Sequence, residues 1–331
     1  MPKFLIIRFS SIGDIVLTTP VIRCLKKQVP GAEIHYLTKK NFANILQSNP
    51  YLEKVHCLDG DLGPTLSTLK KENFDYIIDL HHNLRTFRVK LALGIKSFAF
   101  DKLNIEKWMM TALKINRLPK VHIVDRYLAT LNHFGIKNDG QGLDYFIPDK
   151  DRVPIGTMPL SHQKGYIGLV IGAALATKQL PIEKLENLCR ALYPLPVTIL
   201  GGPTEKEAGE KLAENRPHLW NTCGKMNLNQ SADLVRQSTA VITHDTGLMH
   251  IAAALHKPTL TIWGNTIPEF GMGPYFPENS GIFNQGFEVK PLNCRPCSKI
   301  GHKECPKGHF RCMITQDIEQ IADTCKKIFN P

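Results

Sequence analysis

Acidic, basic and small hydroxyl residues recur in this chain at one kind of place, just after a short apolar run and just before an apolar helical pattern. Ser10-Ser11-Ile12-Gly13-Asp14 follows the first such run. Ligands of open α/β sheets bind at the carboxyl ends of strands, so a polar loop carrying a glycine there faces the ligand. Asp14 has two readings: a carboxylate placed to take a proton from an attacking hydroxyl, or an N-terminal helix cap worth about 0.5–2 kcal/mol. The loop is no dinucleotide fingerprint, because Gly-x-Gly-x-x-Gly is absent.

His244-Asp-Thr-Gly-Leu-Met-His250 occupies the same kind of position further along. Asp245, Thr246 and Gly247 put free backbone N–H groups and a small residue at a helix start, which suits a diphosphate. Asp245 would repel phosphate if it pointed inward, so it holds the loop or meets a sugar hydroxyl. His250, one turn into an apolar helix, reads as a core histidine. In Gly172 to Pro181, Thr177 and Lys178 stand just past a strand end and just before Pro181 opens a helix, where they either clamp phosphate oxygens or leave an ordinary exposed lysine. In Gly201-Gly-Pro-Thr-Glu205, Thr204 and Glu207 read as a capping box, which leaves Glu205 for a ribose. Cys294, Cys297, Cys305 and Cys312, with His302 and His309 between them, either form a tetrahedral zinc site or are reduced thiols packing a loop; the second pair lacks the Cys-x2-Cys spacing of a ribbon.

The elements that must position these residues alternate in type. From Lys3 to Ala99, β-branched runs (Phe4 to Phe9, Glu33 to Thr38, Val55 to Leu58, Asp75 to Leu80) are separated by helical stretches (Ile15 to Gln28, Phe42 to Gln47). Such alternation implies a parallel sheet with right-handed crossovers. Helical stretches near Trp108 to Leu113 and Val124 to Phe134 close this half. Asp149 to Gly165, rich in Pro and Gly and without periodicity, reads as a linker. A second series then runs through strands at Tyr166 to Ile171, Val197 to Leu200, Ala240 to Thr243 and Thr259 to Trp263, with helices at Ile182 to Leu192, Glu205 to Ala213 and Gly247 to Leu255. Ile314 to Phe329 is a last amphipathic helix. The expectation is an α/β protein of two Rossmann-like domains, 1–150 and 151–313, with a C-terminal helix, 314–331, packing back towards the first domain.

The chain has 331 residues, is 43% hydrophobic and carries a formal charge of +11. That length suits two cores, and that charge favours an anionic partner: nucleic acid, an acidic lipid surface or a phosphorylated small molecule. Lys and Arg are scattered and not interleaved with aromatics, which weakens the nucleic-acid reading. The first residues lack the basic head and apolar core of a signal peptide, and no stretch approaches the roughly 20 apolar residues of a membrane helix. A cytoplasmic protein whose membrane contact is peripheral is expected. Nine cysteines in such a chain argue for reduced thiols or a metal.

Taken in order, these stretches resemble glycosyltransferase family 9, the heptosyltransferases of lipopolysaccharide core assembly. The resemblance rests on Ile6-Ile-Arg-Phe-Ser-Ser-Ile-Gly-Asp-Ile-Val-Leu-Thr-Thr-Pro20, Thr177-Lys178 before Pro181, Gly201 to Glu205, Asp245-Thr-Gly-Leu-Met-His-Ile-Ala-Ala-Ala254, and the cysteine cluster ending in Cys312-Met313. It implies a GT-B fold with two Rossmann-like domains facing each other across a cleft, the acceptor on the N-terminal domain and the nucleotide sugar on the C-terminal one, inversion at the anomeric carbon, and no cofactor or catalytic metal. It makes Asp14 the general base and Lys178 a catalytic partner. Thr177, Lys178, Thr246, Gly247 and Leu248 would hold the diphosphate of an ADP-heptose donor, Asp245 the sugar and Glu205 the ribose. Ser11, Gly13, His81, Asn83, Arg85 and Arg126 are the candidates for an anionic glycolipid acceptor at the inner-membrane surface, Arg85 ahead of Arg126. Leu180 stands where the family often has an aromatic, and Gly264-Asn-Thr-Ile-Pro268 departs from the usual Gly-Pro-Thr-Asp-Pro. A transferase for another nucleotide sugar and a zinc-containing nucleic-acid binder are the competing readings.

Overall fold

The computed structural model describes residues 1–330. The chain divides into two compact units: residues 1–103, 121–146 and 275–279 form the first, and residues 104–120, 147–274 and the chain from Ser280 onward form the second.

In the first unit, β1 (Lys3–Ile7), β2 (Glu33–Lys39), β3 (Lys54–Leu58), β4 (Tyr76–Asp79) and β5 (Lys96–Ala99) form a parallel sheet of order β3-β2-β1-β4-β5. Phe4 to Ile7 are apolar without alternation, as a strand covered on both faces requires, and all four are buried. Ile7 pairs with Leu37 on one side and Asp79 on the other, so the residues following β1 and β4 emerge side by side at the carboxyl edge. Helices α1 (Ile12–Val16), α2 (Thr19–Gln28), α3 (Leu62–Lys70) and α4 (Leu84–Leu93) belong to this unit; α5 (Asn104–Trp108) groups with the second, and α6 (Ile123–Leu128) returns to the first.

The single helix expected over Ile15 to Gln28 is two. The hydroxyls of Thr18 and Thr19 donate to the carbonyls of Ile15 and Val16, both at 2.7 Å, and Pro20 has no N–H to continue the ladder. Arg23 of α2, 1% exposed, then reaches residues far along the chain: it pairs with Asp139 at 2.8 Å and with Asp144. Gly142 between them has φ 69°, and a side chain there would lie 2.7 Å from the nitrogen of Pro277, so glycine is what lets residues 275–279 dock.

In the second unit, β6 (Ile167–Val170), β7 (Val197–Leu200), β8 (Leu219–Asn221), β9 (Ala240–His244), β10 (Thr259–Trp263) and β11 (Asn284–Glu288) form a parallel sheet of order β11-β10-β9-β6-β7-β8. Its helices are α7 (Ile182–Leu192), α8 (Lys206–Ala213), α9 (Leu228–Gln237), α10 (Gly247–Ala254), α11 (Arg311–Ile314) and α12 (Ile318–Phe329). The edge strands β8 and β11 escaped the sequence reading: Leu-Trp-Asn and Asn-Gln-Gly-Phe-Glu are too short or too polar to show a strand pattern.

Two expectations change. The stretch read as a linker forms three short 3-10 turns at 149–151, 155–157 and 160–162. It is fastened to the second unit: Asp151 accepts the side-chain amides of Asn227 and Asn229, and the Val153 N–H donates to Asp233. The C-terminal helix, expected to pack towards the first domain, instead buries Ile318, Ile321, Ala322 and Cys325 in the core of the second unit with Leu185, Leu188 and Leu192 of α7. Among the described residues no helix is long and apolar enough to cross a membrane.

The burial of α12 sets an energetic expectation. Ile321→Ala removes a fully buried side chain and should cost about 2–5 kcal/mol, while Glu319→Ala on the exposed face should stay within about 0.5 kcal/mol. Urea denaturation of the two variants checks this; equal, small losses would contradict a core role for the helix.

Candidate functional site

The first unit's site is built on Arg8, the residue that ends the apolar run of β1. Its guanidinium pairs with Asp14 at 2.7 Å and donates to the carbonyls of Ser10 (2.8 Å) and Leu80 (2.7 Å) and to the hydroxyl of Tyr127 (3.0 Å). One cation thereby joins the loop after β1, the loop after β4 and helix α6. Asp14 itself sits in the third position of α1 and accepts the Ser11 N–H (3.0 Å) and hydroxyl (2.8 Å), a capping box. The cap reading of Asp14 therefore holds in the reversed sense: Asp14 caps backwards onto Ser11. Burial pushes its carboxyl up, but Arg8 and then Ser11 more than offset this and hold it below the usual range. The group is an ionised acceptor, held in place at the carboxyl edge of the sheet. Gly13 is buried within α1 and Ser11 is exposed.

The acceptor candidates divide. His81 stacks edge-on against Phe9 with ring centres 5.2 Å apart, and Arg85 lies over the same Phe9 ring at 5.6 Å. Burial, then Arg8 and Lys102, push the His81 imidazole down to about 4, so it is neutral, and its Nδ1 has no hydrogen-bond partner. Asn83 is instead the N-cap of α4: its side chain accepts the Thr86 N–H at 3.0 Å, and its own N–H donates to the Thr86 hydroxyl at 2.9 Å. Its side-chain oxygen is thus committed to the helix start. Arg126, a surface arginine on one reading, is buried at 8% exposure and donates to the carbonyl of Asp101. Asp79, fully buried, accepts the N–H groups of His81 and His82 and pairs with Lys90 of α4 at 3.0 Å, which fixes the loop between β4 and α4.

In the second unit, Lys178 and Asp245 meet at 2.6 Å, and Asp245 also accepts the Thr266 hydroxyl at 2.9 Å. Arg295 holds the backbone beneath them, donating to the carbonyls of Gly264 and Thr266 and pairing with Glu288. A side chain at Gly264 would stand 2.5 Å from the Thr177 carbonyl, so only glycine allows these loops to touch. The Leu180 N–H donates to Nε2 of His244, whose imidazole burial pushes down to about 4. Thr246 precedes α10 without a side-chain cap, and it and Gly247 and Leu248 are half-buried at the helix start.

Two expectations here are corrected. The Thr177 hydroxyl donates to the His302 carbonyl at 3.0 Å and accepts the His302 N–H at 2.8 Å, with the residue 2% exposed. It pins the cysteine-rich loop, and its one hydroxyl proton is spent on that contact. The capping box expected of Thr204 and Glu207 belongs to Glu205, whose carboxylate accepts the Gly202 N–H (2.8 Å) and the Thr204 hydroxyl (2.9 Å). Glu205 is therefore already oriented by the chain rather than free.

All nine cysteines are free thiols. Cys312 lies in the second unit's core, where burial pushes its thiol up to about 12, and Cys297 donates to the Cys294 carbonyl. Among the described residues, the one set of three metal-type side chains that converges is His35, His56 and Glu72. Lys3 and Lys54 take the Glu72 oxygens at 2.9 and 2.6 Å, and His35 and His56 bond each other at 2.9 Å, so the set is a closed ion-pair cluster. Arg8, Arg295 and Asn265 were missed by sequence reasoning. Arg8 showed one signal, a charge ending a buried run; Asn265, 1% exposed with neither amide atom bonded, showed none.

Comparison with known proteins agrees with this geometry. The profile of glycosyltransferase family 9 (heptosyltransferase) matches residues 65–303. The chain is 26% identical over 352 residues to lipopolysaccharide heptosyltransferase 1 of Campylobacter coli, covering 99% of each. The fold superposes on the Escherichia coli ADP-heptose lipopolysaccharide heptosyltransferase II with a TM-score of 0.73 at 19% identity, covering 98% of both chains. It superposes on an Escherichia coli heptosyltransferase solved with ADP with a TM-score of 0.69 at 19% identity, covering 98% of this chain and 99% of that one. Both are GT-B heptosyltransferases, and the two parallel Rossmann-like sheets described above are that fold.

The Arg8 contact carries its own test. Because the folded state holds Asp14 below its ordinary value, the group adds stability above its unfolded pKa and loses it as pH falls through the lowered folded one. Arg8→Gln should raise the Asp14 pKa and move the acid limb of unfolding to higher pH. A carboxyl-carbon NMR titration reads this directly, and an unchanged Asp14 would show that Arg8 does not set its charge.

Proposed function

The chain belongs to glycosyltransferase family 9, and on that premise we propose that it is an inverting transferase which moves heptose from ADP-heptose to an anionic lipopolysaccharide-core glycolipid at the cytoplasmic face of the inner membrane. The observation that carries the reading is Asp14, an ionised carboxylate fixed by Arg8 and Ser11 at the carboxyl edge of a parallel sheet. The named relatives support the donor and acceptor, since they are ADP-heptose and lipopolysaccharide enzymes and one was solved with ADP.

On this proposal Asp14 takes the proton of the acceptor hydroxyl as that oxygen attacks the anomeric carbon of the heptose. The bond to the diphosphate breaks, the configuration inverts, and ADP leaves. Lys178 and the N–H groups at the start of α10 (Gly247, Leu248, with Thr246 before them) neutralise the charge that develops on the diphosphate. Asp245 holds Lys178 until the donor binds and then meets the sugar, and Glu205 accepts a ribose hydroxyl with the capacity its cap leaves. Thr177 contributes by holding the loop. Arg85 and His81 receive the acceptor, Arg85 through phosphate or carboxylate and neutral His81 through a hydroxyl; Arg126 supports them from a buried position, and Ser11, Gly13 and Asn83 shape the loops around them. A lowered carboxyl pKa makes Asp14 a weak base, and its value lies in position and constant ionisation rather than basicity. Asn265, next to Thr266 and unsatisfied in its buried site, joins the donor candidates.

Asp14→Asn preserves the side-chain shape and should lower kcat by about 10²–10⁴-fold with little change in donor KM, and Lys178→Ala should lower kcat as well. If both variants turn over like the wild type, the assignment is wrong. Thermal-shift measurement with ADP-, UDP- and GDP-sugars should show stabilisation by the ADP-sugar; a larger shift with another nucleotide would replace the donor. Inversion is read from the anomeric configuration of the product by NMR.

A further inference from the structure

Helix α4 presents its side chains the wrong way round for a water-facing helix. Its inner face is small and short, with Thr86 and Val89 buried. Leu84, Phe87 and Leu91 are 77%, 55% and 73% exposed. Their spacing of three and four places them in one stripe along the helix, whereas a surface helix ordinarily turns its apolar stripe to the core. Scattered apolar residues on a surface need no explanation, but a contiguous stripe does. Arg85 and Arg88 are exposed beside the stripe. From Leu80 to Phe100 the chain contains Arg85, Arg88, Lys90 and Lys96 and no acidic residue.

The helix is firmly built, so its exposed face is a defined surface. The capping box of Asn83 and Thr86 starts it, Lys90 ties it to Asp79 at the end of β4, and Gly94 at φ 64° ends it. We propose that the exposed face of α4 is a docking surface for an anionic lipid bilayer: Leu84, Phe87 and Leu91 enter the boundary between headgroups and acyl chains, and Arg88 meets lipid phosphates. Charge decides between occupants. A second copy of this chain would bring a like-charged face against this one, while an acidic lipid surface complements both the stripe and its basic flanks.

The position of the helix gives the docking a purpose, and this part rests on the proposed transferase reading. α4 begins in the loop that carries His81, whose ring packs on Phe9 beside Arg8 and Asp14. A bilayer seated on α4 presents the headgroups of an anionic glycolipid to that loop without any part of the protein entering the membrane core.

Co-sedimentation with vesicles of pure phosphatidylcholine and of phosphatidylcholine with phosphatidylglycerol in equal parts tests the surface. Wild-type protein should bind the anionic vesicles and release them as salt is raised. The triple variant Leu84→Gln, Phe87→Gln, Leu91→Gln should lose about tenfold or more of that affinity, and Arg88→Glu should weaken it in the same direction, both with unchanged thermal stability. Binding of the triple variant at wild-type strength overturns the proposal, as does its loss instead in Ile105→Gln, Trp108→Gln on the other unit. Self-association without vesicles that the triple variant abolishes would assign the face to a second copy and overturn it too. Transfer to a water-soluble, deacylated acceptor should be unchanged in the triple variant. Failure of transfer in the wild type would therefore count against the transferase reading, and failure of vesicle binding against the docking surface.

Discussion

The first unit's site depends on one guanidinium. Arg8 is mostly buried, and its ion pair and hydrogen bonds go to a carboxylate, two backbone carbonyls and a phenol drawn from widely separated parts of the chain. A cation taken out of water is tolerated only when its donors are spent on good acceptors, and removing one partner of such a pair costs about 3–5 kcal/mol. That requirement makes the loop after β1, the loop after β4 and α6 mutually dependent. It also fixes the charge and direction of Asp14. On the proposed reading, the same contacts that complete the fold here also prepare the chemistry.

The second unit solves the analogous problem differently. Arg295 works below the surface, holding the backbone at Gly264 and Thr266, and above it lies the half-buried candidate pair Lys178 and Asp245. The two charges satisfy each other, and the carboxylate also accepts the Thr266 hydroxyl. Thr177 and Cys312 show why the cysteine-rich stretch is part of this unit's architecture. One pins its loop through His302 and the other is buried in the core beside α12.

A consequence of both arrangements is that groups suspected of chemistry often have structural duties as well. Asp14 back-caps Ser11, Asn83 caps α4, and Glu205 caps Gly202. A carboxylate used as a cap retains lone pairs, so Asp14 and Glu205 keep capacity for a ligand. A buried threonine hydroxyl that both donates and accepts, like Thr177, has little left.

What the sequence determined by itself was everything with a local period or a local exception to one. Phe4 to Ile7, Val197 to Leu200 and Thr259 to Trp263 are recognisable as buried strands because apolar and β-branched residues run together without a charge, and Ile182 to Leu192 as a helix because its apolar positions recur on one face. The polar loops holding Asp14, Lys178 and Asp245 stood out against those runs, and with them the α/β class and the family. Tertiary structure alone decided the rest. Whether α12 serves one unit or the other, that Arg8 clasps Asp14, that Thr177 spends its hydroxyl on His302, and that the apolar stripe of α4 faces outward all depend on contacts between residues distant in the chain. Periodicity says that a helix has an apolar face. Only the packed neighbours say which way that face turns, because burial is a property of the assembled unit and not of the segment.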